Sequence, residues 1–118
     1  MFRLAVFNVI AHNRDDHGKN FTYLMNAKGE WRLSPAYDLT FSSGSGAEQT
    51  TTVMGQGKAP SIADLKKLGG FAGLSMADVQ AIIGSTRDAV CEWPELAAQH
   101  GVTKPQIKLI GSRLAGLS

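Results

Sequence analysis

The sequence predicts a mainly α, α+β chain with helices at both ends and one small β-hairpin between them. Three observations carry this. Residues 1–11 are apolar nearly all round, as a core helix requires. Two short runs, Phe21-Thr22-Tyr23-Leu24-Met25 and Trp31-Arg32-Leu33, flank the turn-forming stretch Asn26-Ala27-Lys28-Gly29-Glu30, which reads as a hairpin. After Pro60, apolar residues recur at intervals of three or four, the helical period.

Taken in order, the first helix runs into a polar loop at 12–20, and the hairpin occupies 21–33. Ser34-Pro35 ends its second strand, because proline donates no ladder hydrogen bond. The segment 34–39 follows, and residues 40–60, rich in Ser, Gly and Thr, are expected to form a long mobile loop. The tail, 61–118, is expected to be helical. Ser61 is the expected N-cap of a helix from Ile62 to Leu68 that Gly69-Gly70 ends. Ser75 caps the next helix, whose inner stripe is Met76, Val79, Ile82, Ile83, Thr86, Val90 and Trp93. Pro94 kinks or restarts it and His100-Gly101 ends it. Thr103 caps the last helix, with Ile107, Ile110, Leu114 and Leu117 on one face. Such stripes are core-packing faces.

The 118 residues suit one domain. Twelve basic and ten acidic side chains leave a net charge of +2, too little to mark a nucleic-acid-binding surface. A single cysteine, Cys91, excludes an intrachain disulfide, fits a reducing cytoplasmic setting and is expected to be a small buried hydrophobe. The apolar start runs directly into Asn13-Arg14-Asp15-Asp16 without a small-residue cleavage site, unlike a signal peptide. It is also shorter than the roughly 18 apolar residues of a membrane span.

Chemistry concentrates in Asn13-Arg14-Asp15-Asp16-His17-Gly18-Lys19-Asn20, between an apolar helix and an apolar strand. A further carboxylate, Asp38, follows the hairpin in Ser34-Pro35-Ala36-Tyr37-Asp38-Leu39. A hairpin returns the chain to its start, so Asp38 is expected beside the 13–20 loop. Phosphoryl transfer needs such a set: a carboxylate to orient the acceptor hydroxyl and take its proton, and hard oxygen donors for Mg²⁺ on nucleotide phosphates. Protein kinases place four residues between the catalytic-loop Asp and a metal-binding Asn. Asp15 and Asn20 have that spacing, whereas Asp16 leaves only three residues before Asn20. Asp16 is expected to be exposed or to brace the loop.

The runs Phe7-Asn8-Val9-Ile10, Asp15-Asp16-His17-Gly18-Lys19-Asn20-Phe21 and Trp31-Arg32-Leu33-Ser34-Pro35-Ala36-Tyr37-Asp38-Leu39 resemble the C-terminal domain of HipA-type kinases. These are bacterial serine/threonine protein kinases that act as the toxin of toxin–antitoxin pairs. The resemblance covers the whole chain, including Thr51-Thr52-Val53-Met54-Gly55, and is sharpest between residues 7 and 39. It implies a kinase-like helical C-lobe with Asp15 as catalytic base and Asn20 and Asp38 as ligands of Mg²⁺ on ATP. His17 and Lys19 match catalytic-loop positions. His17 either braces the loop backbone or acts toward phosphate, and Lys19 either contacts phosphate or is solvated. A histidine two residues after the Asp also resembles aminoglycoside and lipid kinases, so the loop alone leaves the acceptor open. Implied partners are an N-terminal kinase lobe, a HipB-like DNA-binding antitoxin and a protein substrate, with no direct nucleic-acid or membrane contact.

Other motifs fail by position. An EF-hand loop counted from Asn13 would end on Leu24, which supplies no carboxylate. A Walker loop through Gly57-Lys58 has Thr52 and Ala59 where Gly and Ser/Thr are required. Gly44-Ser45-Gly46 and Gly55-Gln56-Gly57 lack a third glycine, and His12 and His100 have no partners at metal-site spacing. A nucleotide-covering loop and its lysine precede the catalytic loop in kinases, but only fourteen residues precede Asp15. The expectation is a C-terminal lobe that binds ATP weakly and is inactive alone. The alternatives are a non-catalytic helical module that docks on an antitoxin-like partner, or a lobe of a small-molecule phosphotransferase.

Overall fold

The first helix, α1 (Phe2–Ile10), turns Val6, Val9 and Ile10 inward together with the polar Asn8. Positions three and four apart share a helix face, and this face is the centre of the core. The structure is a computed structural model and describes residues 1–42 and 48–117. After a polar loop with a one-turn 3₁₀ helix at Gly18–Asn20 come β1 (Tyr23–Met25) and β2 (Trp31–Leu33), then α2 (Ile62–Phe71), α3 (Met76–Cys91), α4 (Trp93–Gln99) and α5 (Lys104–Leu114). The expected mainly helical chain with one small hairpin is therefore the observed one. No helix among the described residues is long and apolar enough to cross a membrane.

The core joins Val6, Val9 and Ile10 of α1 to Leu65 of α2, to Val79, Ile82 and Ile83 of α3, and to Val53 from the segment before α2. Each such side chain, fully buried, contributes about 1.5–3 kcal/mol. Helices α4 and α5 pack on each other beside this core, and the Trp93 indole N–H donates to the Ile107 carbonyl at 3.2 Å.

The hairpin is antiparallel, pairing Tyr23 with Leu33, Leu24 with Arg32 and Met25 with Trp31. The Asn26 side-chain oxygen accepts from the Lys28 and Glu30 amides, and Gly29 takes the left-handed conformation at φ 81°. Tyr23, Met25, Trp31 and Leu33 share one face by the two-residue strand period. That face is open to solvent: Trp31 is 65% and Met25 57% exposed.

Four expectations change. The α2 helix does not stop at Gly69-Gly70 but continues to Phe71. Gly69 is buried in the helix, and a Cβ there would stand 2.3 Å from Val79 Cγ2. The missing side chain lets α2 approach α3. The true stop is Gly73, at φ 75°, where the Gly73 and Leu74 amides bond back to the Gly70 and Gly69 carbonyls, a Schellman end. Cys91 is exposed rather than buried, because its neighbour Val90 takes the position that packs on the core. Thr103 sits at the N-cap of α5 without a side-chain cap bond, its hydroxyl instead reaching Gln106 Oε1 at 2.9 Å. Finally, part of the expected mobile loop 40–60 is a packed element. Gln49, Val53 and Pro60 are buried, and Val53 and Gln56 bond to each other across a turn. Residues 43–47, with the Gly44-Ser45-Gly46 stretch, lie outside the described residues, as does the Leu117 side chain.

Other expectations are met. Ser61 accepts from the Asp64 amide while Asp64 accepts from the Ser61 amide, a full capping box. Ser75 caps α3 by accepting from the Asp78 amide. Pro94 restarts the chain as the separate helix α4, in whose first turn it lies.

Candidate active site

The loop begins on a buried polar anchor. The Asn13 side-chain amide donates to Asn8 Oδ1 at 3.0 Å, and its backbone amide donates to the Asn8 carbonyl at 2.9 Å. The buried Asn8 on an otherwise apolar helix face thus fixes where the loop leaves α1. His12, between them, is left-handed at φ 52°.

The packed segment straps the loop from outside. The Thr50 amide and hydroxyl both donate to the Arg14 carbonyl. The Thr51 amide donates to Asp16 Oδ1 at 2.9 Å and its hydroxyl donates to the Asp16 carbonyl at 2.5 Å. Asp16 is only 5% exposed, so of its two expected roles it takes the bracing one. Burial pushes its carboxyl above the ordinary value, with the neighbouring Asp15 charge adding a smaller push against the hydrogen bonds.

At the far end, the hairpin delivers Asp38 to the loop. The Asn20 side-chain amide donates to Asp38 Oδ2 at 3.1 Å and to the Asp15 carbonyl at 3.0 Å. Both amide hydrogens are so engaged, which orients the amide and leaves its Oδ1 for another partner. Asp38 holds its place at φ 54°, a left-handed conformation that Asp tolerates better than most residues. Tyr37 fastens the same junction: its hydroxyl donates to the Lys19 carbonyl at 2.6 Å and lies 2.5 Å from the Thr22 hydroxyl.

Of the sequence-derived site residues, Asp38 meets the Asn20 amide through its carboxylate and Asp15 meets it through its backbone carbonyl. His17 Nε2 stands 3.9 Å from Asp15 Oδ1, beyond hydrogen-bond range, and its Nδ1 is buried without a hydrogen-bond partner. The Lys19 side chain is exposed and forms no ion pair among the described residues. Asn8, Asn13, Tyr37 and Thr51 escaped the sequence reading as site residues. A polar residue inside an apolar helix was the one local signal, at Asn8.

No group of three or more His, Cys, Asp or Glu side chains suited to a metal occurs among the described residues. Magnesium bound with a nucleotide does not require one, since one or two carboxylates with phosphate and water suffice. Asn20 Oδ1 and the Asp38 carboxylate are hard oxygen donors fixed side by side, and they fit that chemistry.

Comparison with curated proteins gives no match, and comparison with solved structures gives none. The model of the HipA-like C-terminal domain matches residues 1–93, which takes in α1, the 13–20 loop, the hairpin, Asp38 and the helices through α3. With most of its length inside that match, the chain belongs to the HipA-like C-terminal domain family, a family of kinases.

Proposed function

We propose that this chain is the catalytic C-lobe of a kinase that transfers the γ-phosphoryl group of ATP to a serine or threonine hydroxyl of a protein. The observation that carries the reading is the Asn20 amide bridging Asp15 and Asp38. It ties the Asp38 carboxylate to the backbone carbonyl of Asp15 on the loop that carries the proposed base.

In this reading Asp15, exposed on the loop, orients the acceptor hydroxyl and accepts its proton at the carboxylate. Asn20 Oδ1 and Asp38 would hold Mg²⁺, which when bound neutralises charge on the β- and γ-phosphates. Tyr37 keeps the two ligands in register by tying the residue before Asp38 to the loop backbone. His17 and Lys19 stand on the same loop and either support its shape or meet the phosphates. The site is proposed to bind Mg²⁺-ATP weakly. Turnover in kinases also uses a lobe that covers the nucleotide, and a HipB-like antitoxin is the regulatory partner suggested by the family.

Calorimetric titration of the chain with ATP, with and without Mg²⁺, tests the site. The expected result is weak, Mg²⁺-dependent binding that Asn20→Ala and Asp38→Ala each abolish while Lys104→Gln leaves it intact. Metal-independent binding that survives both site substitutions would overturn the reading.

A further inference from the structure

We propose that the outer edge of β2 is a docking site for an extended segment of a partner chain, which adds to the hairpin as a third, antiparallel strand. The segment carries a carboxylate flanked by apolar residues. None of Asp15, Asn20 and Asp38 is a contact in this proposal, so it stands apart from the kinase reading.

The hydrogen bonds of the hairpin show which of its backbone groups are left over. The Ser34 amide donates to the Thr22 carbonyl, and the Asn26 amide donates to the Glu30 carbonyl. At both ends, therefore, the even-numbered residues turn their peptide groups inward, and Leu24 with Arg32 follows the same phase. In an antiparallel ladder such pairs alternate with pairs whose peptide groups point away. Tyr23 with Leu33 and Met25 with Trp31 are those pairs, so the N–H and C=O groups of Trp31 and Leu33 face outward from β2. Among the described residues no third strand meets them. An added strand would exchange both N–H···O=C bonds with each of the two.

The side chains define what that strand carries. Arg32, between Trp31 and Leu33, points to the other face of the sheet. It is exposed and forms no ion pair among the described residues. Its cross-strand neighbour on β1 is Leu24, which offers no charge. Glu30, two residues earlier on the same face, is turned to the hairpin bend, where its Oε2 accepts from Asn26 Nδ2 at 2.7 Å. Arg32 also borders an open depression of about 350 Å³, shared with Leu24, Asn26 and Glu30. A strand bonded to Trp31 and Leu33 sets one residue directly opposite Arg32, in the closely spaced kind of pair. A glutamate there brings its carboxylate to the guanidinium. The residues on either side of it fall on the face of Tyr23, Met25 and Trp31, where apolar side chains cover exposed apolar surface. The free edge of β1 has Leu24 in the corresponding place and selects no charge.

The test is a nuclear magnetic resonance titration of the whole chain, kept dilute, with the blocked peptide acetyl-Thr-Val-Glu-Val-Thr-amide. Saturable shifts are expected at Trp31, Arg32 and Leu33, with slower solvent exchange of the Trp31 and Leu33 amides. Arg32→Gln, or a peptide with Gln in place of Glu, is expected to weaken binding about twofold to fivefold, the effect of losing one opposite-charge cross-strand pair. Lys28→Gln, which removes an exposed charge in the turn, is expected to leave binding unchanged. A peptide with proline for both valines keeps the carboxylate but donates no ladder bonds, and it is expected not to bind. Absence of saturable shifts, shifts centred on β1, or equal binding of the Gln or proline peptide would overturn the proposal. So would shifts of the β2 amides that arise on concentrating the chain alone and that the peptide does not reverse, since the edge would then belong to a second copy.

Discussion

Gly69 and Gly70 are adjacent in α2, and substituting each with alanine is expected to change stability in opposite directions. In a helix interior, Gly→Ala gains about 1 kcal/mol from backbone entropy and propensity. At Gly70 nothing lies within 4 Å of the new Cβ, so most of that gain should appear. At Gly69 the Cβ would stand 2.3 Å from Val79 Cγ2, 3.2 Å from Val79 Cγ1 and 3.2 Å from Phe2 Cζ. Val79 is completely buried and has little freedom to withdraw. Overpacking of this kind costs about 1–3 kcal/mol, which offsets the helical gain and leaves a net loss of up to about 2 kcal/mol. Urea denaturation of the two variants reads the difference. A double variant, Gly69→Ala with Val79→Ala, opens space for the new methyl and is expected to show favourable coupling between the sites. If Gly69→Ala stabilises the chain as much as Gly70→Ala, the close approach of α2 and α3 is wrong.

Asp16→Asn keeps an acceptor for the Thr51 amide but removes a buried charge. Because the folded state raises the Asp16 pKa above 3.8, the native chain holds the extra proton just above that value, and its stability falls as pH rises through this window. The stability of the parent relative to Asp16→Asn should therefore decline as pH rises above 3.8; a rise would contradict the burial. Ser61→Ala removes the acceptor of the Asp64 amide and is expected to cost about 1 kcal/mol in denaturant titration. It should also flatten the acid dependence of stability: the Ser61 hydrogen bonds depress the Asp64 pKa, a contribution present above the unfolded value and lost as pH falls through the folded one. Tyr37→Phe keeps the ring and loses the bond to the Lys19 carbonyl, for about 0.5–1.5 kcal/mol. Weaker Mg²⁺-ATP binding should accompany it, and unchanged binding would show that Tyr37 does not position Asp38.

The loop, hairpin and Asp38 were legible because their geometry is set locally. A turn centred on Asn26 and Gly29 forces the chain back, and the spacing of Asp15 and Asn20 is carried within one short loop. Asp16 was read less sharply because its partner Thr51 lies thirty-five residues away in a stretch whose composition suggested only mobility. Val53, which that segment contributes to the core, was too small a signal for its packing. The paired glycines misled because a close helix–helix approach and a helix stop use the same residue type, and only the position of Val79 distinguishes them. Cys91 shows a phase error: one residue along a helix turns the side chain about 100°, from the core-facing Val90 to solvent.

The hairpin also has a colloidal consequence. Its two strands carry an apolar face of Tyr23, Met25 and Trp31 in solvent, and no third strand pairs with them among the described residues. Both edges therefore present free backbone donors and acceptors beside an apolar surface, a template for strand addition between molecules. Concentrated preparations of the chain are expected to self-associate through β1 or β2 before the helical core loosens. Such association would rise steeply with concentration and yield to a single lysine in place of Trp31.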